Sequence, residues 1–395
     1  MVYTLHFEIY FVTFLYPLSA RIFTLTFLRA VVILGSNLSG GGTMEKKKAL
    51  IGMSGGVDSS VAAFLMLQSG FDCTGGTMRL HDFGCGGSDD TQDARSVAER
   101  LGIGHRVMTF QPEFEEKVIR QFVSAYESGM TPNPCIQCNR HLKFGAMLEQ
   151  ALQWGYDYVV SGHYARIKRD PASGRYLLHK AADTAKDQTY FLACLNQHQL
   201  SHILFPLGEL TKAEVRQLAL DNGFINARKR DSQDICFVPG GDYAAFLSRY
   251  TGKTYPDGDY LDLAGKVVGR HKGAVCYTKG QRKGLGIALG APVYVCSKDM
   301  QKNTVTVGPN EALFSPGLRA NDWNWFPFET LTQPMAVTVK FRHSQQEQSA
   351  TVYPEEDGFA RVEFDIPQRA VTPGQAVVLY KGDMVIGGGT ITQAF

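Results

Sequence analysis

The chain has 395 residues, 44% of them apolar and 20% charged, and its 40 basic and 38 acidic residues leave a formal net charge of +2. This composition excludes a disordered or low-complexity protein, and the length calls for two or three domains, each with its own core. So balanced a charge confines any nucleic-acid face to a local patch.

Residues 1–43 are rich in aromatics and carry only Glu8, Arg21 and Arg29 as charges. Pro17, Arg21 and Arg29 cut the segment into apolar runs shorter than the roughly 20 residues of a spanning helix. It has neither the basic start nor a clear cleavage site of a signal peptide. Gly40-Gly41-Gly42-Thr43 stands directly before Met44, where GG-rich codons would read as a ribosome-binding site in frame. The expectation is therefore an untranslated or unstructured extension, with a working protein that starts at Met44, is cytoplasmic and makes no membrane contact.

From Ala49 the chain alternates strand and helix. Ala49 to Met53 is a short apolar run ending in Ser-Gly-Gly, which predicts a buried parallel strand. Residues 58–68 predict a helix closed by Ser69-Gly70. Strands follow at Thr74 to Met78 and Ile103 to Met108, with a helix between them marked by Ala94, Val97, Ala98 and Leu101. Phe114, Val118, Phe122 and Tyr126 mark one face of a further helix, and Phe144, Met147, Leu148 and Ala151 another. Tyr158-Val159-Val160 is a strand that runs into Ser161-Gly162-His163. Such alternation predicts an α/β fold: an open parallel sheet with helices on both faces and ligands at the carboxyl ends of its strands. Ser54-Gly55-Gly56 and Gly162-His163 both stand at such ends, so they are expected to converge. Thr211 and Glu214 form a capping-box pattern ahead of another helix. Beyond residue 250, short β-rich pieces at Val293 to Val295, Thr304 to Val307, Val337 to Val339 and Val377 to Leu379 predict two small barrel-like β domains. Ser315-Pro316-Gly317 is the expected boundary between them. The divisions are 44–245, 246–314 and 315–395.

Gly52-Met53-Ser54-Gly55-Gly56-Val57-Asp58-Ser59-Ser60 joins the first strand to the first helix. Glycines let the backbone turn tightly and approach a phosphate, and the N–H groups at a helix start attract an anion. Ser54, Ser59 and Ser60 add hydroxyls. Asp58 could hold Mg²⁺ or order the loop. No Gly-Lys-Ser/Thr is present, so this is not a Walker A loop. The segment resembles the pyrophosphate loop of N-type ATP pyrophosphatases, which cleave ATP between the α- and β-phosphates and form an adenylate on the substrate oxygen.

Eight cysteines are scattered along the chain, which excludes a disulfide scaffold and leaves reduced thiols as the default. Cys138 precedes Asn139-Arg140, where a helix is expected to begin. A thiol at a helix N-terminus has a lowered pKa and is the better nucleophile, with Arg140 and Lys143 assisting. Cys236 follows the basic Lys229-Arg230. Cys135 shares a Cys-x-x-Cys spacing with Cys138.

Several segments occur in a telling order: Ser54 to Ser60, Thr131-Pro132-Asn133-Pro134, Cys138-Asn139 with Lys143-Phe144, Gly162-His163-Tyr164, Lys186 to Leu192, Asp231-Ser232 with Ile235-Cys236-Phe237, and Gly280 to Gly286. Together they resemble the tRNA-specific 2-thiouridylase (MnmA) family from about residue 48 to the C-terminus. The resemblance implies an adenine nucleotide alpha hydrolase-like catalytic domain and a tRNA-binding C-terminal barrel. It implies ATP and Mg²⁺ on Gly52 to Ser60, with Met78 and Gly162 also at the nucleotide. It implies adenylation of O2 of wobble uridine 34, sulfur transfer to C2 from a persulfide on Cys236, and resolution by Cys138 with a Cys138–Cys236 disulfide. Lys186, Asp187 and Gln188 would meet a flipped-out base. Arg282 and Lys283, in the basic glycine loop Gly280 to Gly286, read as a phosphate or tRNA contact ahead of a plain solvated turn. The partners implied are tRNAs for Lys, Glu and Gln and a sulfur donor such as a cysteine desulfurase or a persulfide relay protein.

Cys135 stands where many members carry Asp. With Cys138 and Cys236 it makes a three-thiolate set, either ligands of a [4Fe–4S] cluster or, for Cys135, a silent thiol. Zinc with His141 as fourth ligand is the weaker choice. His163 reads as near ATP or as structural. Trp323, Trp325, Phe326 and Phe328 read as barrel core ahead of RNA stacking. Cys73, Cys85, Cys194, Cys276 and Cys296 read as ordinary thiols. The rival functions are another adenylating enzyme on the same fold, or a non-enzymatic RNA-binding iron–sulfur protein.

Overall fold

A computed structural model of the chain describes residues 46–81, 88–229 and 235–395. The extension expected over 1–43 lies outside them, as do Cys85, Arg230 and residues 231–234.

The first sheet is wholly parallel. Its strands are β1 (Lys48–Gly52), β2 (Asp72–Arg79), β3 (Gly104–Thr109), β4 (Tyr158–Val160) and β7 (Ile203–Leu204), in the order β3-β2-β1-β4-β7. Alternation along β1 sends Ala49 and Ile51 to one face and Leu50 to the other, and each face has its own hydrophobic cluster. On the Ala49 side pack α1 (Val57–Gln68), α2 (Ser88–Leu101) and a later helix, Lys212–Asp221. On the Leu50 side pack two long helical stretches, α3 (111–127) and α4 (134–153). The expected helix faces are the buried ones: Phe114, Val118, Phe122 and Tyr126 in α3, and Phe144, Met147, Leu148 and Ala151 in α4. The strand order reverses between β1 and β4, and their carboxyl ends open at that switch point.

Between β4 and β7 the chain makes a hairpin of β5 (Arg166–Arg169) and β6 (Tyr176–His179), then short helices α5 (Thr189–Leu192) and α6 (Gln197–Ser201). The Lys212–Asp221 helix is α7. It begins with the expected capping box, Thr211 and Glu214 bonding each other's backbone N–H groups. Then α8 (Tyr243–Thr251) leads to a four-stranded sheet, β10-β11-β8-β9, built from β8 (Gly258–Leu261), β9 (Val267–His271), β10 (Tyr294–Asp299) and β11 (Thr304–Gly308).

The C-terminal strands are β12 (Phe314–Trp325), β13 (Met335–Lys340), β14 (Gln348–Pro354), β15 (Ala360–Arg369), β16 (Ala376–Lys381) and β17 (Met384–Ala394). They close into a six-stranded antiparallel barrel, because β12 pairs with both β15 and β17. The β5–β6 hairpin joins this barrel through Met384 opposite His179. Ser315-Pro316-Gly317 stands at the start of the first barrel strand. It lies inside β12 at a register shift, where a bulge accommodates a proline that cannot donate to the ladder. Trp323 and Trp325 stack at 4.7 Å against the barrel core. Among the described residues no helix is long and apolar enough to cross a membrane.

Candidate active site

The loop from Gly52 to Ser60 bridges β1 and α1. Met53 donates its N–H to the Gly76 carbonyl and keeps the strand going one residue further. Gly55 turns the chain with φ 70°, where a Cβ would strike the Asp90 carbonyl oxygen at 2.5 Å, so only glycine fits. Gly56 caps α1 without any side-chain hydrogen bond to the helix. The first-turn N–H groups are thus not closed off by a capping side chain, and exposed Ser54 stands beside them. The hydroxyls of Ser59 and Ser60 donate to the Gly56 carbonyl, at 3.0 and 3.1 Å. Ser54 N–H donates to Ser59 Oγ at 3.3 Å, and Val57 is buried beneath. An exposed serine over a tight glycine turn at an uncapped helix start suits a polyphosphate.

Gly162 belongs to this loop in space. A Cβ on it would meet Asp58 C and Ser59 N at 2.7 Å, so the chain after β4 presses on the start of α1, and the two strand ends converge as expected. Met78 lies half-buried on β2 beside the same sheet.

Of the two roles open to Asp58, the structure displays loop ordering. Both its oxygens lie 2.7 Å from Lys212 Nζ, and Tyr164 OH donates to Oδ1 at 2.8 Å. Asn226 donates its side-chain amide to Gly55 O and to Ser60 Oγ from a buried position. Sequence reasoning missed these supports. Lys212 and Asn226 carried no signal, and Tyr164 stood only as part of a motif.

His163 is packed on both sides. Its ring lies between Phe144 and Phe205, with Nδ1 2.6 Å from Ser161 Oγ. Burial, with the charge of Lys143 adding, lowers its pKa well below the usual imidazole value.

The helix that carries the cysteines starts earlier than the sequence suggests. Asn133 is the N-cap, accepting from Cys135 N–H at 3.2 Å, and Pro134 takes the first helical position. Cys135 therefore sits in the first turn and is exposed, while Cys138 lies a turn further in and is buried. The expectation of Cys138 at a helix N-terminus is corrected by this cap. A π-helical turn, Asn139–Ala146, follows at once. Its loosened carbonyls are met by Gln199, whose amide donates to Arg140 O and Phe144 O. Cys138 belongs to the large hydrophobic cluster under the sheet, and Cys236 packs against that same cluster. Among the described residues no three His, Cys, Asp or Glu side chains gather into a group that could hold a metal ion. No such group unites Cys135, Cys138 and Cys236, or includes His141.

Asp187 is buried, accepting from Ala181 N–H and Thr189 Oγ, and burial raises its pKa. Gln188 pairs with Tyr164 through its side-chain oxygen and its own N–H. Lys186 beside them is half-buried. Arg282 and Lys283 are exposed, and Arg282 lines an open cavity of about 480 Å³ beneath the 284–293 loop. Cys73 and Cys194 are buried, which pushes their thiols up to about 12 and about 11.

Comparison with known proteins adds the family. Residues 47–240 match the tRNA methyl transferase HUP domain, 244–309 the tRNA methyl transferase PRC-barrel domain and 315–391 the aminomethyltransferase beta-barrel domain. The chain is 49% identical to the tRNA-specific 2-thiouridylase MnmA of Acetivibrio thermocellus over 88% of its own length and 100% of that protein. It belongs to the tRNA-specific 2-thiouridylase family. Identity to the Symbiobacterium thermophilum enzyme of the same name is 48%, covering 90% of this chain and 94% of that one. The U34-tRNA thiolase NcsA from Methanococcus maripaludis, solved with its [4Fe-4S] cluster, aligns at 18% identity over 57% of this chain and 72% of its own, with a TM-score of 0.34.

Proposed function

We propose that this 2-thiouridylase-family chain is a tRNA-uridine 2-sulfurtransferase that activates its substrate with ATP. The observation that carries the reading is one site edge made by the Ser54 to Ser60 loop and Gly162, in a chain whose relatives are 2-thiouridylases over their whole length. The loop receives the triphosphate of ATP, with Met78 and Gly162 at the nucleotide. O2 of wobble uridine 34 attacks the α-phosphorus, the α–β bridge breaks, and pyrophosphate leaves. Mg²⁺ would enter with the nucleotide's phosphates, since Asp58 is engaged by Lys212.

Sulfur then comes from a persulfide on Cys236. Its terminal sulfur bonds to C2 as AMP departs, and the Cys138 thiolate attacks the Cys236 sulfur. The carbon-bound sulfur is released as 2-thiouridine, and the two cysteines are left as a disulfide, having supplied two electrons. A reductant and a sulfur donor must restore them. Cys135 takes no part in this scheme, and it is exposed in the first turn of its helix. Lys186 and Gln188 border the base site, and Asp187 shapes it from below. Arg282 and Lys283 with the barrel hold the tRNA, of the Lys, Glu and Gln classes.

The matched domain descriptions speak of methyl transfer, but a phosphate loop followed by two sulfur-bearing cysteines suits thiolation. The test is anaerobic incubation of the chain with unmodified tRNA, Mg-ATP and a persulfide source, then digestion and mass spectrometry. 2-Thiouridine that forms only with ATP supports the reading; a folded, tRNA-binding protein that forms none overturns it.

A further inference from the structure

We infer that Lys212 is a positioning residue for the nucleotide, neutralising Asp58 so that an incoming polyphosphate meets no bare carboxylate at the loop. The inference rests on the reading that polyphosphate occupies the Ser54 to Ser60 loop. Asp58 stands in the first turn of α1, where a carboxylate suits the empty helix but repels a second anion sharing the same N-terminus.

The structure answers with a dedicated cation. Lys212 Nζ lies 2.7 Å from each Asp58 oxygen, and the residue is only 9% exposed. Lysines are rarely buried so far unless paired. The pair is built to hold its geometry. Lys212 donates its backbone N–H to Asp183 Oδ2 at 3.0 Å, and its ammonium lies 5.8 Å from the centre of the Tyr164 ring. Tyr164 OH bonds Asp58 in turn. Lys212 comes from α7, well away from the loop in sequence, and its place at the helix start is fixed by the Thr211–Glu214 box.

A plain tether between α7 and α1 would use the same contacts, so the two roles must be separated by charge. Lys212→Gln keeps a hydrogen-bond donor toward Asp58 and loses the charge. Binding of an α,β-methylene ATP analogue with Mg²⁺ is measured on the full chain by calorimetry, with melting curves of the nucleotide-free proteins alongside. Neutralisation predicts at least a tenfold weaker dissociation constant for K212Q, a loss that shrinks as salt screens the carboxylate, and recovery of most of it in the D58N/K212Q double variant. K212Q that binds within threefold of wild type, or a double variant as weak as K212Q, overturns the inference. If K212Q does not fold, the same criteria are read on Lys212→Arg, which keeps the charge at altered geometry: within threefold supports neutralisation, a tenfold loss overturns it. A wild-type chain that binds no analogue overturns the loop reading and this inference together, whereas normal wild-type binding with an unweakened K212Q overturns this inference alone.

Discussion

Gln375 of the barrel donates its side-chain amide to the backbone carbonyl of Thr131, at 2.7 Å, and so holds the entrance of the cysteine loop from a different domain. Thr131 N–H donates to Pro373 O at 3.0 Å, and Gly374 is pressed so closely on Thr131 that a Cβ would meet its N at 2.9 Å. The barrel thus fixes the chain just ahead of the helix that carries Cys138. Gln375→Ala should slow single-turnover thiolation at least threefold while binding of the ATP analogue is unchanged. Equal losses in both measurements would mean that the barrel contact acts on the fold as a whole.

Asn226 braces the phosphate loop from a buried position, with one amide serving Gly55 O and Ser60 Oγ. Asn226→Ala strands a buried carbonyl, which costs about 1–3 kcal/mol. Urea denaturation should show that loss, and the variant should bind nucleotide more weakly. A stability change below about 0.5 kcal/mol, within the range of ordinary surface substitutions, would show that the brace is dispensable.

The cysteines should separate cleanly. Cys138→Ser and Cys236→Ser abolish formation of 2-thiouridine, and each still exchanges labelled pyrophosphate into ATP when tRNA is present. Cys135→Ser keeps at least half the wild-type thiolation rate. Complete loss in Cys135→Ser, together with iron in the anaerobically purified wild type, would instead make Cys135 a cluster ligand.

His163 gives a pH signature. Its folded pKa lies below the unfolded value of about 6.5, so the stability it contributes is complete above that pH. The contribution is lost as pH falls from there toward the folded pKa. Between pH 7.5 and 5.5, wild type should lose roughly 1 kcal/mol more stability than His163→Gln, given about 1.4 kcal/mol per proton per pH unit. Parallel losses in the two proteins would remove His163 as the cause.

Much of the nucleotide edge was legible because parallel strands are apolar runs with glycines at their carboxyl ends. Gly52 to Ser60 and Gly162 stood out on that ground, and the structure brings them within contact. The cysteine helix was less legible. Asn133-Pro134 is a sound cap signal, and it puts the helix start ahead of the expected Asn139-Arg140. The π turn that follows shifts side-chain phase without leaving a periodic trace. Lys212 and Asn226 were hidden because their value lies in partners more than 150 positions away. The β5–β6 hairpin meets the barrel through one ladder pair and long-range contacts such as Arg166–Asp383 and Arg175–Phe326, which no local pattern encodes.

Adenylation of uridine O2 is followed with an oxygen label. An anticodon stem-loop carrying ¹⁸O at C2 of uridine 34 is thiolated by the full chain, and the AMP is examined by mass spectrometry. One ¹⁸O in AMP for each 2-thiouridine formed is the predicted result, because the labelled oxygen leaves on the α-phosphorus. Unlabelled AMP accompanying 2-thiouridine, or ADP as the nucleotide product, would contradict it.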